Sequence, residues 1–343
     1  MNNTHCTDPI KLDIPKSLSS FEKLTDDFKN FQVLAAGFKT HVFDYLTRHH
    51  SATKSQIGDD LGLRGAHLGA FLQALTDIGC LDLRGEQYQL ADRMRPLLAS
   101  GTFWNQQPAL EQLLHAQSRW LNLAEFMSEK NHADTRSPDS IFYGQSFIYH
   151  PMFREARLIA LKISSKVNPL NIQSILCFDG CDFLLSACLK TLYPSARLTT
   201  VVTDSALPVT ENVAQQFSAD KKTELFTGTP LSLSLEQRYD LLVLGHALYS
   251  VRKNIADSLK HVAGFIAPQG TLMSFHWFCR ENCEPSPGGV EELDKAIITD
   301  SHPLCHVRQF SERLTLAGLT DTFEKDFNGA YGTTRFHIAR KTS

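Results

Sequence analysis

The stretch "SILCFDGCDFLLSACLK", Ser174 to Lys190, decides the fold. Its apolar opening reads as a buried strand, "FDGCDF" as a tight loop, and "LLSACLK" as the start of a helix. A strand-to-helix turn that brings a nucleotide-type ligand against bare backbone usually carries two or three glycines; this one has Asp179, Gly180, Cys181, Asp182 and Phe183. Onward from it the same alternation repeats: strand "RLTTVVT", helix "PVTENVAQQFSA", strands "TELFTG" and "DLLVLGHAL", helix "NIADSLKHVAGFI", and strand "GTLMSFHW" after a turn "APQG". Apolar strands separated by helices predict a mainly parallel sheet covered on both faces, with ligands outside the carboxyl ends of its strands.

Toward the N-terminus the rhythm is helical. In "FQVLAAGFKTHVFDYL" the apolar residues Phe31, Leu34, Ala35, Phe38, Val42 and Tyr45 recur at three and four, predicting one helix with a buried stripe. Two short helices follow, one capped by Thr53 or Ser51 and stopped near Gly62, the other from Arg64 to Ile78 and ended by Gly79. Leu81, Leu83, Tyr88 and Leu90 then alternate around "RGEQ" as in a hairpin, so the whole reads as a winged helix. DNA binding is disfavoured: residues 1–100 hold eleven Lys and Arg against twelve Asp and Glu, and phosphate contacts need a basic surface. Packing or dimerisation is the expected role.

Residues 101–170 read as further helices, from "ALEQLLHAQSRWLNLAEFM" and from "MFREARLIALKISSKV", where Phe153, Ala156, Leu158, Ala160 and Leu161 form an apolar surface. "SEKNHADTRSPDS" between them reads as a surface loop. The aromatic segment "IFYGQSFIYHPMF" reads either as ordinary core or as the wall of a pocket for a flat organic substrate, with Phe142, Tyr143, Phe147, Met152 and Phe153 as its lining.

With 343 residues, 42% of them apolar, the chain is long enough for two domains with cores. A net charge of −3 gives no reason to expect nucleic acid or anionic membrane as partner. No run is apolar and long enough to span a bilayer and no signal pattern opens the chain, so a cytoplasmic location is expected. Eight irregularly spaced cysteines suggest core thiols rather than a disulfide framework. Cys279, Cys283, His302, Cys305 and His306 are metal-ligand types, but C-x3-C with H-x2-C-H matches no standard zinc spacing, and no metal is expected. GxGxxG, Walker and GxSxG motifs are absent.

Taken together, the winged helix and the α/β half resemble the S-adenosylmethionine (SAM)-dependent small-molecule O-methyltransferases, over nearly the whole chain. "YDLLVLGHALYSVRKNIADSLKHVAGFIAPQGTLMSF" is similar to that family's fourth strand, catalytic-loop helix and fifth strand, its "ALYS" closer to the bacteriochlorophyllide C-methyltransferase branch. "FSERLTLAGLTDTFEKDF" is similar to its late helix and closing strand. The resemblance implies a winged-helix dimerisation domain at 1–100, a helical connection at 101–170 that contributes to the substrate pocket, and a Rossmann-like methyltransferase domain at 171–343. It also implies SAM as cofactor, a homodimer that closes each active site with its partner's N-terminal region, and a planar phenolic or pyrrolic substrate, for which a hydroxylated bipyrrole of a prodigiosin-like pigment pathway fits.

At the ligand positions the resemblance is thin. The family's glycine-rich first-strand motif falls on Cys177 to Phe183 and keeps only Gly180, and Phe183 in place of a glycine is expected to crowd the methionine end unless the loop is displaced. Asp179 or Asp182 is a candidate partner for the ammonium or a ribose hydroxyl. Asp204 is either the carboxylate that grips the ribose diol or a turn residue. Gly228 and Thr229 stand at the adenine position. The family's catalytic His corresponds to Tyr249, which is suited to orienting an acceptor, and its helper Glu to His276. His276 or His246 is the candidate base, each equally readable as a satisfied interior histidine. The substitutions leave a second reading open: a methyltransferase fold that has lost its donor and serves as a binding or scaffold subunit.

Overall fold

A computed structural model describes residues 15–341 apart from 64, 66, 103, 117, 129–150, 218–222, 279–287, 300–303, 305–306 and 331. The chain divides into two compact units, Met1–Glu111 and Gln112–Ser343.

In the first unit the expected long helix is two. Helix α1 (Leu18–Lys39) ends where His41 takes a left-handed φ of 58°, and α2 (Val42–His49) leaves at a new angle. The cause is Gly37: a Cβ there would lie 2.4 Å from the Phe43 ring, so the missing side chain lets Phe43 fold back against α1, edge-on to Phe38 at 4.8 Å. Strand β1 (Ser51–Thr53) leads into α3 (Lys54–Leu61), where Thr53 Oγ1 accepts from Gln56 N and Gln56 Oε1 accepts from Thr53 N, a reciprocal cap. Gly62 stops α3 at φ 66°. Helix α4 (Leu68–Asp77) starts later than the sequence suggests; Arg64 is outside the described residues. Strands β2 (Leu81–Arg84) and β3 (Gln87–Leu90) pair Leu81 with Leu90 and Leu83 with Tyr88, as expected, and β1 adds an unexpected third strand against β3.

Helices α5 (Arg95–Leu98), α6 (Gln107–Leu113) and α7 (Leu123–Phe126) are short. The apolar run from Ala109 to Met127 is not one helix, because the Asn122 amide donates to the Ala116 and Ser118 carbonyls and holds a turn in its middle.

In the second unit α8 (Pro151–Ser164) precedes a seven-stranded sheet of order β6-β5-β4-β7-β8-β10-β9. Its strands are β4 (Ser174–Asp179), β5 (Arg197–Val202), β6 (Thr223–Thr227), β7 (Tyr239–Gly245), β8 (Ile266–His276), β9 (Leu319–Gly329) and β10 (Gly332–Lys341). The helices between them are α9 (Leu184–Leu192), α10 (Leu207–Gln216), α11 (Ile255–Ala263), α12 (Gly289–Thr299) and α13 (Val307–Leu316). Strands β4 to β8 are parallel, and β10 closes antiparallel on β8 and β9. "APQG" is not a turn before β8 but a bulge inside it: Tyr239 pairs with Ile266 and Leu241 with Thr271, and Gln269 absorbs the extra length at φ 66°.

Strand order reverses at β4 and β7, and the register aligns Thr227, Val202, Asp179, Gly245 and Phe275 along one edge. Loops leaving that edge therefore share one crevice. On α8 the buried residues are Met152, Ala156, Ile159, Ala160 and Ile163, whereas Leu158 and Leu161, expected on the apolar face, turn outward. Glu155 lies on the buried side.

Candidate functional site at the carboxyl edge of the sheet

The loop between β4 and α9 is built on backbone that few residues accept. Asp182 and Phe183 follow one another at φ 53° and 71°, and His246, just past β7, sits at 52°; these are three of the six non-glycine residues with positive φ among the described residues. That clustering stores strain at one place, where strand-to-helix turns meet ligands. Phe183 thus keeps the backbone of a glycine, and the crowding expected of it does not arise from its ring, which is buried with the sheet's core.

Gly180 is required by its neighbour. Its N–H donates to the Gly245 carbonyl at 2.7 Å, and a Cβ would meet the His246 carbonyl oxygen at 2.5 Å. Its outer side is exposed.

Asp179 is spent on the loop itself. One carboxylate oxygen accepts from Cys181 N at 2.8 Å and the other from Ser186 N at 2.7 Å, so it caps α9 and is corrected from ligand partner to loop brace. Burial raises its pKa against the pull of those N–H groups. Asp182 differs: half-buried, it has no hydrogen-bond partner among the described residues, and burial together with the Asp179 charge pushes its carboxyl up to about 7.

Asp204 begins a single helical turn two residues past β5, its carbonyl accepting from Leu207 N, exposed and with no hydrogen-bond partner for its carboxylate among the described residues. Gly228 continues from β6 at φ 154°, its N–H bound to the Val202 carbonyl. The Thr229 hydroxyl accepts from Leu231 N and Ser232 N at 3.2 Å each and so caps its own turn.

Beyond β7 and β8 the three candidate catalytic residues come together, with ring centroids 5.5 to 6.0 Å apart. His276 is corrected as a base: Nε2 accepts from Leu248 N at 3.2 Å and Nδ1 faces Ser274 Oγ at 2.9 Å, so neither nitrogen is left for a substrate. Burial holds its pKa well below the usual imidazole range, assisted by His246 and His337.

His246 and Tyr249 belong to a ring of hydrogen bonds that the sequence did not reveal. Trp277 N–H donates to the Tyr249 hydroxyl at 2.8 Å, and that hydroxyl faces His246 Nδ1 at 2.7 Å. His246 Nε2 faces Glu155 Oε1 at 3.3 Å. Thr334 Oγ1 donates to the same oxygen at 2.5 Å, takes the Trp277 indole N–H at 3.1 Å, and so returns the ring to its start. Ala330 N–H donates to Glu155 Oε2 at 2.6 Å. Burial alone would raise the Glu155 pKa; His246, Thr334 and Ala330 together bring it below the ordinary carboxyl value. A glutamate at buried spacing in an apolar helix was the available signal. Burial drives the Tyr249 pKa well above that of a free phenol.

Met152 is core and Phe153 stacks on Phe217 at 6.1 Å, while Phe142, Tyr143 and Phe147 lie outside the described residues, as do Cys279, Cys283, His302, Cys305 and His306. No cluster of metal-ligating side chains occurs among the described residues.

No family model and no curated protein matches the sequence. Solved structures do. An O-methyltransferase family protein from Burkholderia thailandensis superposes with a TM-score of 0.75 at 16% identity, covering 96% of this chain and 99% of that one. The fold is that of the O-methyltransferases. PigF, solved with S-adenosylhomocysteine (SAH), gives 0.72 at 16% identity over 96% and 100% of the two chains. Human N-acetylserotonin methyltransferase, in complex with SAM, gives 0.67 at 15% over 96% and 99%. The O-methyltransferase fold thus spans both units, as the winged helix and the reversed parallel sheet suggested.

Proposed function

We propose that the protein is a SAM-dependent methyltransferase acting on a planar aromatic or pyrrolic small molecule, with oxygen as the acceptor atom. The observation that carries this reading is the carboxyl edge itself. Gly180 leaves main chain exposed there, and Asp182 and Asp204 present carboxyl groups that have no hydrogen-bond partner among the described residues, on an O-methyltransferase fold. An ammonium group and a vicinal diol are the complement of those two carboxyls, so the residues present fit SAM although the glycine-rich motif is gone.

When bound, SAM supplies a methyl group already activated on a sulfonium. The chain's task is to hold and orient. Asp204 takes the ribose hydroxyls, the Gly180 main chain and Asp182 line the methionine end, and Gly228 leaves room beside the adenine. With His276 committed to the backbone, His246 is the remaining candidate base of the two, and Tyr249 meets the acceptor. Enclosure of the acceptor by Phe142, Tyr143 and Phe147, and a pigment or other secondary metabolite such as a hydroxylated bipyrrole as substrate, are parts of the proposal.

Self-association through the first unit is proposed as well. On α1, Phe21, Leu24 and Phe28 are all more than 60% exposed at helical spacing, an apolar strip that a second copy would cover. Among the described residues no helix is long and apolar enough to cross a membrane, and the cytoplasm is the proposed location.

Calorimetric titration with SAM and with SAH tests the function. Binding at micromolar strength, about −8 kcal/mol, is expected for both. Absence of heat and of thermal shift with both ligands rejects the methyltransferase in favour of a donor-free scaffold.

A further inference from the structure

The ring around Glu155 has a direction. Trp277 N–H can only donate, so the Tyr249 oxygen accepts there. Glu155 takes the Ala330 N–H and the Thr334 O–H and is held below the ordinary carboxyl value; as a carboxylate it can only accept, so His246 Nε2 carries a hydrogen and points it there. With that tautomer, assigned from its partners, Nδ1 is an acceptor, and the Tyr249 O–H donates to it. Every bond runs toward Glu155. The Tyr249 oxygen then keeps one lone pair, on a side chain 5% exposed in the loop that follows β7.

We propose that Tyr249, His246 and Glu155 form a proton relay, in which the acceptor's hydroxyl is deprotonated through Tyr249 and Glu155 is a positioning residue that fixes the His246 tautomer. This rests on the oxygen-methylation reading above. As the acceptor oxygen forms its bond to the methyl group, the electron pair of the breaking S–C bond stays on sulfur. The acceptor's O–H proton moves to the Tyr249 oxygen, and the Tyr249 proton moves to His246 Nδ1. The imidazolium so formed lies against the Glu155 carboxylate, and its proton later returns to water.

Two independent features agree with this. His246 is held in left-handed backbone, a strain that directs its imidazole inward onto Glu155. Tyr249 is kept a neutral phenol by its surroundings and so relays a proton instead of serving as a standing phenolate. A carboxylate behind one imidazole nitrogen, with the other nitrogen turned to a hydroxyl, is an arrangement that makes a hydroxyl a better proton acceptor.

The test uses the full chain, with Tyr249→Phe and Glu155→Gln. Nitrogen-15 NMR of the ligand-free wild type should show His246 with its hydrogen on Nε2; a hydrogen on Nδ1 alone overturns the relay. SAH affinity should stay within about twofold in both variants, which separates failure of the relay from failure of the methyltransferase reading. With a phenol series from 4-methoxyphenol to 4-nitrophenol, kcat for the least acidic acceptor should fall about 10²-fold or more in each variant, as expected for lost general-base assistance. KM should be little changed, and the loss should shrink toward 4-nitrophenol, which ionises unaided. An equal loss across the series, as a structural role would give, overturns the relay. So does wild-type kcat in both variants, or donor binding by the wild type with no phenol methylated.

Discussion

The Cα of Gly180 and the carbonyl oxygen of His246 are so close that a single added methyl would sit 2.5 Å from that oxygen. Two strands, β4 and β7, are thereby pinned together where their order reverses and the crevice opens. Gly180→Ala must push one end away. It should cost about 1–3 kcal/mol, the range for overpacking, and lower donor affinity as well. Thermal melting and SAH titration of the variant check both.

Phe183 combines a glycine's backbone with a buried ring, and the two demands can be separated. Phe183→Ala should lose about 3–5 kcal/mol from the emptied core. Phe183→Gly empties the same space but releases the left-handed strain, so it should be the more stable of the two by about 1 kcal/mol. Denaturant unfolding of the pair decides it; alanine above glycine would mean the backbone is not strained there.

Asp182 links stability and binding to pH in opposite senses. Its folded carboxyl titrates at about 7 against 3.8 in the unfolded chain, so the native state holds the extra proton. Stability is full below about pH 4 on this account and is lost as pH rises through 7. Asp182→Asn should flatten that fall. Affinity for SAH, whose ammonium pairs with the ionised form, should rise between pH 6 and 8 in the wild type and stay level in the variant.

Acid has the reverse effect on two buried histidines. His276 is held well below the ordinary imidazole range, and His337, buried with Nδ1 unpaired among the described residues, titrates at about 4. Unfolded chains take up protons at both sites from about pH 6.5, so stability should fall as pH drops from 7 toward 4. His276→Gln keeps an acceptor and a donor and should reduce the slope in pH-dependent melts.

The Asp204 carboxylate is exposed and has no hydrogen-bond partner among the described residues. Asp204→Ala should leave the melting temperature within about a degree, since surface changes rarely exceed ~0.5 kcal/mol, while donor affinity falls at least tenfold. Unchanged affinity would return Asp204 to the status of a turn residue.

Much of the fold was readable because its strands are continuous apolar runs and its turns are punctuated by Gly62, Gly79 and the Gly85 hairpin. The reading failed where a tertiary contact overrode local pattern: Phe43 folding onto Gly37 split one helix into two, and the bulge at Gln269 carried β8 through "APQG". For the site, positions along the strand ends were legible, but what each side chain does was not. Asp179, Thr229 and His276 have the right chemistry for ligands and are engaged by backbone N–H groups a few residues away or in the loop past the neighbouring strand. The role of Glu155 was illegible for the opposite reason, since its partners at 246, 330 and 334 lie 91 to 179 residues away.

That separation also sets an order of assembly. Glu155 is buried by α8, ahead of the first strand of the sheet, yet its last two donors arrive only with Ala330 and Thr334 on the closing hairpin. Contacts across so long a loop form late, after the local helices and the parallel strands have paid their own closure entropy. Until that hairpin docks, Glu155 lacks the Ala330 N–H and the Thr334 hydroxyl as donors. The hydrogen-bond ring behind the carboxyl edge is then completed in the same event that completes the domain.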